Sequence, residues 1–246
     1  MQKGAAVMNY AVIFAGGIGS RMNSSIPKQF MHVHGKPVII HTIEQFQNHP
    51  LIHAISVVCL ESRIDELRSL AADYGLDKVK YIVPGAQTGQ QSIYNGLKTV
   101  STAHEKDIVL VNDGVRPFVS REIITRCIDF VKQYGSAVTV APVSDTIGII
   151  DDEEGCRVSM IPDRKKCYAL KAPQGFFLGE LITAHLKAMS EERYCFTNSA
   201  ELFMHYGRKI YTVADEGVNF KITTPADLEL MKVLLPSWSI EQEKLS

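Results

Sequence analysis

Short continuous apolar runs alternate along this chain with longer stretches whose apolar residues recur at helical spacing. No other feature constrains the fold as tightly. Residues 10–15, 54–60, 79–83, 108–111 and 137–141 read as strands buried on both faces, because an unbroken apolar run leaves no polar side to turn to water. Between them, 38–46, 63–72, 91–100 and 122–134 carry apolar residues at i, i+3 and i+4. Strand–helix alternation of this kind specifies an α/β fold with a mostly parallel sheet flanked by helices. Such sheets bind ligands outside the carboxyl ends of their strands, so the loops after those strands are the candidates for function.

The rhythm breaks after Pro142. Residues 142–164 hold a polar turn, Asp151-Asp152-Glu153-Glu154-Gly155, between two short β-like runs at 146–150 and 157–161. This pattern predicts a hairpin arm, since a structureless loop of that length is uncommon in a compact domain. A projecting arm with apolar residues needs cover, and a second copy of the chain is the expected partner, giving a homodimer. Helical patterns return at 180–189 and 198–206. A last strand at 209–213 follows, then a helix opened by Thr224-Pro225, with proline in the first turn. The polar stretch after Pro236 reads as a fraying tail. The expectation is one domain over 1–236, the arm included, with a tail at 237–246.

Formal net charge is −1, so no global field favours nucleic acid or an anionic membrane, and any anion site must gather its cations locally. Five scattered cysteines (Cys59, Cys127, Cys156, Cys167 and Cys195) form no CxxC pair or zinc-spaced cluster, which points to reduced thiols and a cytoplasmic setting. The amino-terminal run lacks the pattern of a signal peptide, no apolar stretch reaches membrane-spanning length, and Met8 is a plausible natural start. His32 and His34 share one face of a short strand, but two histidines without a third ligand point to surface positions rather than a metal site.

The sharpest local signal follows the first strand, where Phe14-Ala15-Gly16-Gly17-Ile18-Gly19-Ser20-Arg21-Met22 precedes Pro27-Lys28-Gln29-Phe30. Gly16, Gly17 and Gly19 let the backbone approach a ligand and present N–H groups to phosphate oxygens. Arg21 and Lys28 supply cations for the two ends of a triphosphate. A tight turn with solvated charges is the plain alternative. A dinucleotide fingerprint is the sharper rival, but it requires glycine where Met22 stands and a helix opening directly from the turn, which Pro27 opposes.

AGGIGSRM (15–22) with PKQF (27–30) resembles the amino-terminal signature of the cytidylyltransferases that make CDP-methylerythritol and CDP-ribitol. The similarity continues through GKPVIIHTIEQF (35–46), SIYNGL (92–97), DGVRPF (113–118), APVSDTI (141–147), IPDR (161–164), APQGF (172–176) and FKITTPADL (220–228). It implies a Rossmann-like nucleotidyltransferase fold with a dimerising β-arm. It also implies that Arg21 and Lys28 bind the triphosphate and stabilise the transition state. Arg164 and Lys221 would position the acceptor's phosphate, Arg164 reaching a neighbouring subunit's site. Ala15, Gly16, Gly85, Ala86 and Ser92 correspond to the cytosine-binding groups, with Gly17 and Gly19 completing the CTP turn. Thr146 and Thr197 join Asp113 and Arg116 on the acceptor side.

The chemistry agrees with this assignment. An acceptor phosphate oxygen attacks the α-phosphorus of CTP in line and pyrophosphate departs, so the protein must position two anions and neutralise their charge. Mg²⁺ is the expected cofactor. Asp113 is the candidate to ligate it, to hold its water shell, or to bind acceptor hydroxyls; a capping aspartate beside a structural arginine is the plain alternative. Three positions depart from the family pattern. Gly89 replaces an arginine three residues before Ser92, Ala172 a threonine before Pro-Gln, and Asn198 an aspartate after Thr197. Gly16, Val115 and the IPxR run before Tyr168 are more similar to the CDP-ribitol branch, making ribitol 5-phosphate the favoured acceptor and methylerythritol 4-phosphate the runner-up. A catalytically silent nucleotide-binding module on the same fold would not need two separate phosphate clamps.

Overall fold

The computed structural model describes residues 7–17, 26–101, 104, 106–151, 155 and 157–244. Its centre is a seven-stranded sheet in the order β11-β7-β10-β6-β1-β4-β5. The strands are β1 (Asn9–Ala15), β4 (Ala54–Cys59), β5 (Val79–Pro84), β6 (Ile108–Asp113), β7 (Ser136–Pro142), β10 (Tyr168–Phe177) and β11 (Thr212–Ala214). All run parallel except β10, which is antiparallel to both β6 and β7. The short pairs β2 (His32–Val33) with β3 (Lys36–Pro37), and β8 (Ile149–Ile150) with β9 (Val158–Met160), stand apart from it. The helices are α1 (Val38–Gln47), α2 (Ile64–Asp73), α3 (Gly89–Thr99), α4 (Arg121–Tyr134), α5 (Leu178–Ser190), α6 (Ser199–His205) and α7 (Pro225–Lys244).

The two-residue period of a strand sends alternate side chains to opposite layers. On β1, Ala11, Ile13 and Ala15 join the core under α1, α2 and α4, while Val12 joins the opposite core under α3, α5 and α6. All six residues of β6 are buried, as a central strand covered on both faces requires. Strand β5 departs from expectation: it is the sheet edge, and Lys80 and Tyr81 are exposed. A charged side chain on an edge strand opposes strand-to-strand association.

The fraying tail is also corrected, since α7 continues through Pro236 to Lys244. Proline removes one helical hydrogen bond, freeing the carbonyl of residue 232, and His34 Nε2 donates to that oxygen at 2.8 Å. Beyond the proline, Trp238 is buried against Phe118 in a third core with Val33, Val38, Val115, Ile222, Met231 and Leu235. That burial holds the helix on its course and fastens two site loops, around Val115 and Ile222, to its inner face. Among the described residues, no helix is long and apolar enough to cross a membrane, and Cys59, Cys127, Cys167 and Cys195 are free thiols.

His185 on α5 is buried, stacks on Tyr94 at 5.7 Å and, among the described residues, has no hydrogen-bond partner for either ring nitrogen. Burial pushes its pKa down to about 4. An unfolded histidine takes up its proton near pH 6.5, so the neutral ring's contribution to stability is complete above that pH and is lost as pH falls toward 4. His185→Phe keeps the stacked ring without the titration. Relative to the parent, it is expected to gain about 2 kcal/mol between pH 7 and pH 5, read by urea unfolding at both pH values. An identical pH response in the two proteins would contradict this.

Candidate active site

The chain runs outward from β1 through β4 to β5 on one side and crosses to β6 on the other, so the topological switch point lies between β1 and β6. Their carboxyl ends, at Ala15 and Asp113, open the crevice where a doubly wound sheet binds its ligand. Gly114 bridges the two ends: its N–H donates to the Phe14 carbonyl at 2.9 Å. A Cβ on Gly114 would stand 2.8 Å from that of Ala15, closer than the backbones allow.

On one side of the crevice, Gln29 is buried and its Nε2 donates to the carbonyls of Ala15 (2.7 Å) and Gly17 (3.0 Å), fixing the path of the glycine turn. Gly19 and Arg21 lie outside the described residues. Gly16, Gly85 and Ser92 converge: a Cβ on Gly85 would lie 3.3 Å from Ser92 Oγ and 3.5 Å from Gly16 Cα. The Ala86 N–H donates to Ser92 Oγ at 2.9 Å, and that hydroxyl donates to the Thr88 carbonyl at 2.8 Å. The wall is therefore backbone plus one small hydroxyl, the kind of surface that reads a flat base edge.

On the other side lies a cavity of about 220 Å³ lined by Asp113, Arg116, Lys221 and Thr197, together with Ala172, Asn198 and Lys171. Arg116 Nε donates to Asp113 Oδ2 at 2.7 Å and Lys221 Nζ to Oδ1 at 2.6 Å. Burial alone would push the Asp113 carboxyl up, but the two cations outweigh it and hold the pKa below the ordinary carboxylate value. Lys28 joins the sides. Its Nζ donates to the Ile222 carbonyl at 2.7 Å, so the cation of the glycine turn sits against the residue that follows Lys221. Ile222 is itself tied to the Asp113 loop through its N–H and the Val115 carbonyl, 3.0 Å apart.

The family described as 2-C-methyl-D-erythritol 4-phosphate cytidylyltransferase (IspD) matches residues 9–237. The chain belongs to this family. It is 42% identical over 233 residues to the ribitol-5-phosphate cytidylyltransferase of Vibrio parahaemolyticus, covering 93% of this chain and 96% of that one. It is 40% identical over 235 residues to the 2-C-methyl-D-erythritol 4-phosphate cytidylyltransferase of Clostridium acetobutylicum, covering 95% and 100%. The crystal structure of 4-diphosphocytidyl-2C-methyl-D-erythritol synthase from Anaerococcus prevotii superposes with a TM-score of 0.80 at 28% identity, over 94% of this chain and 96% of that one.

In this cytidylyltransferase, two sequence candidates stand away from the rest. Arg164 and Thr146 are exposed between β7 and β10 and do not line the cavity beside Asp113; Arg164 Nη1 donates to the Ser144 carbonyl at 2.8 Å. The three departures fall where they matter. Gly89 opens α3 behind Thr88, which caps the helix, and a Cβ there would meet nothing within 4 Å among the described residues. Asn198 caps α6 by accepting from the Glu201 N–H at 3.0 Å, a task aspartate performs equally well. Ala172 puts a methyl on the cavity wall where a hydroxyl is usual.

Direct ligation of a divalent ion by Asp113 fits poorly, because both carboxylate oxygens already hold cations. Among the described residues, no group of three His, Cys, Asp or Glu side chains is placed to hold a metal. Sequence reasoning also passed over Gln29, Gln174 and Asn219. Asn219 Nδ2 donates to the Ala172 carbonyl at 2.8 Å, and Gln174 Oε1 accepts from the Ala200 N–H at 3.0 Å, so two buried amides hold the cavity wall. Their signal was present only as polar residues inside otherwise apolar motifs.

Proposed function

We propose that this enzyme transfers the cytidylyl group of CTP to the phosphate of ribitol 5-phosphate, forming CDP-ribitol and releasing pyrophosphate. The observation that carries the reaction is the contact of Lys28 with Ile222, which sets the cation of the glycine turn beside the acceptor-side cations. An acceptor phosphate oxygen forms a bond to the α-phosphorus as the bond to the bridging oxygen breaks. Lys28 and Arg21 neutralise charge on the departing pyrophosphate, while Lys221 and Arg116 face the acceptor. Asp113 is engaged by Arg116 and Lys221, so a bound Mg²⁺ would depend on substrate oxygens and water for its ligands and would supply further neutralisation of the two anions. Ala15, Gly16, Gly85, Ala86 and Ser92 receive the cytosine.

Identity to the Vibrio parahaemolyticus enzyme favours ribitol 5-phosphate, and identity to the Clostridium acetobutylicum enzyme supports methylerythritol 4-phosphate as the second reading. Pyrophosphate release from CTP with each acceptor in parallel, against ATP, GTP and UTP, tests both. A CTP-dependent signal with ribitol 5-phosphate is expected. A signal only with methylerythritol 4-phosphate would move the assignment to the second branch.

The arm pairs β8 with β9 and leaves Ile149, Ile150, Val158, Met160 and Ile161 exposed, the last to 66%. An apolar row of this kind on a projecting hairpin supports a homodimer in which the partner's arm brings Arg164 and Thr146 to the cavity. Arg164→Ala and Lys28→Ala proteins, each nearly inactive, are then expected to regain activity when mixed, because a heterodimer restores one complete site. Confirmed heterodimers without activity would overturn the shared arm.

A further inference from the structure

The strand that forms one wall of the acceptor cavity is broken where it passes the cavity. Strand β10 pairs with β7 as far as Leu170, opposite Val140, and resumes only at Gln174, opposite Val138. More residues lie between these points on β10 than on β7, so the excess bulges out of the ladder, and a bulge re-aims the side chains it carries. In consequence Lys171 and its neighbour Ala172 both line the cavity, where unbroken alternation would send one of them to the opposite face.

Lys171 is largely buried, and among the described residues its only ionic partner is Asp215, whose Oδ2 lies 3.6 Å from Nζ. That separation is too long for a hydrogen bond. Asp215 itself is buried; its Oδ1 accepts from the Gly217 N–H at 3.0 Å, and Oδ2 has no hydrogen-bond partner among the described residues. The ammonium is thus neutralised at a distance and donates to no described residue, while Lys171 itself lines the cavity. Arg116 and Lys221 differ in that each already places one donor on Asp113. The charge pattern also sorts the ligand. A lysine matched by its own buried carboxylate adds no net positive charge, so it suits neutral hydroxyls better than a second anion. It stands next to the position where Ala172 has withdrawn a hydroxyl from the wall.

We propose that Lys171 is an acceptor-recognising residue whose ammonium donates hydrogen bonds to the polyol hydroxyls remote from the acceptor's phosphate. This rests on the proposed reaction and extends it by naming the group that reads the polyol chain. Lys171→Met keeps the length and removes the donors; Lys171→Arg keeps a cationic donor.

The experiment measures KM for ribitol 5-phosphate and for CTP, kcat, and acceptor affinity by calorimetry, with glycerol 3-phosphate as a truncated acceptor or competitor. Lys171→Met is expected to weaken ribitol 5-phosphate by about 10- to 100-fold, the scale of one lost hydrogen bond to a charged group. KM for CTP, kcat at saturating acceptor and the affinity for glycerol 3-phosphate should stay at parental values, and Lys171→Arg should restore most of the loss. Parental affinity for ribitol 5-phosphate in Lys171→Met would overturn the proposal, as would an equal loss for both acceptors. A parent enzyme that neither turns over nor binds any polyol phosphate would instead overturn the reaction itself, and this proposal with it.

Discussion

Lys28→Ala is expected to lower kcat by about 100- to 1000-fold, the range for removing one preorganised donor from developing transition-state charge. Lys28 is half-buried behind Pro27, and its ammonium is anchored on the Ile222 carbonyl rather than spread through solvent rotamers. A donor fixed before the reaction needs no reorganisation when charge builds on the departing pyrophosphate. The same anchor links the nucleotide side to Lys221, so the substitution removes charge and also loosens the acceptor side. Pyrophosphate release at saturating substrates, with CTP affinity measured separately by calorimetry, distinguishes the two effects. A fall in kcat with CTP affinity little changed is the expected pattern; an unaltered kcat would remove Lys28 from the chemistry.

Asp113→Asn is expected to cost about 3–5 kcal/mol of stability, the range for breaking a buried ion pair by removing one partner. The two cations do not contribute equally. The Arg116 side chain is 10% exposed and has nowhere to go, whereas Lys221 is 40% exposed, so water screens its share and the residue can turn to a substrate. Most of the loss therefore comes from stranding Arg116.

The pH dependence follows from the depressed carboxyl pKa. The contribution of Asp113 is present above the unfolded value near 3.9 and is lost as pH falls through the lower folded value. The stability gap between parent and variant, read by urea unfolding, should accordingly be wide at pH 7 and narrow in strong acid. A gap that persists unchanged in strong acid would mean that shape, and not charge, sets the role of Asp113.

Much of this architecture was legible in the chain because its signals are local. Strands β1, β4, β5, β6 and β7 and helices α1 to α4 lie within a few residues of where the apolar periodicity put them. Asp113, Arg116, Lys221 and Thr197, read from three separate stretches of the chain, line one cavity. What escaped depends on contacts distant in sequence. Strand β10 carries Ala172, Pro173 and Gly175, residues that depress any strand reading. It forms because it fills the gap between β6 and β7. The course of α7 past Pro236 was hidden for a related reason: Trp238 finds its cover on Phe118, and the freed carbonyl finds His34, both far along the chain. Lys171 gave no signal of its own, since one lysine in an apolar run cannot announce the bulge that aims it.

The reversed direction of β10 has a consequence for the arm. Because β10 runs against its neighbours, β7 leaves the sheet at Pro142 and β10 re-enters at Tyr168 on the same rim, where those two residues lie side by side. The arm is thus hung like a door from the frame of the crevice, and Leu170 and Lys171, just inside the hinge, are part of that frame. Anything that grips the arm, a second subunit or a synthetic binder, holds a segment whose two ends adjoin the strand lining that cavity. An exposed hairpin and one wall of the cavity thus meet at one strand, β10.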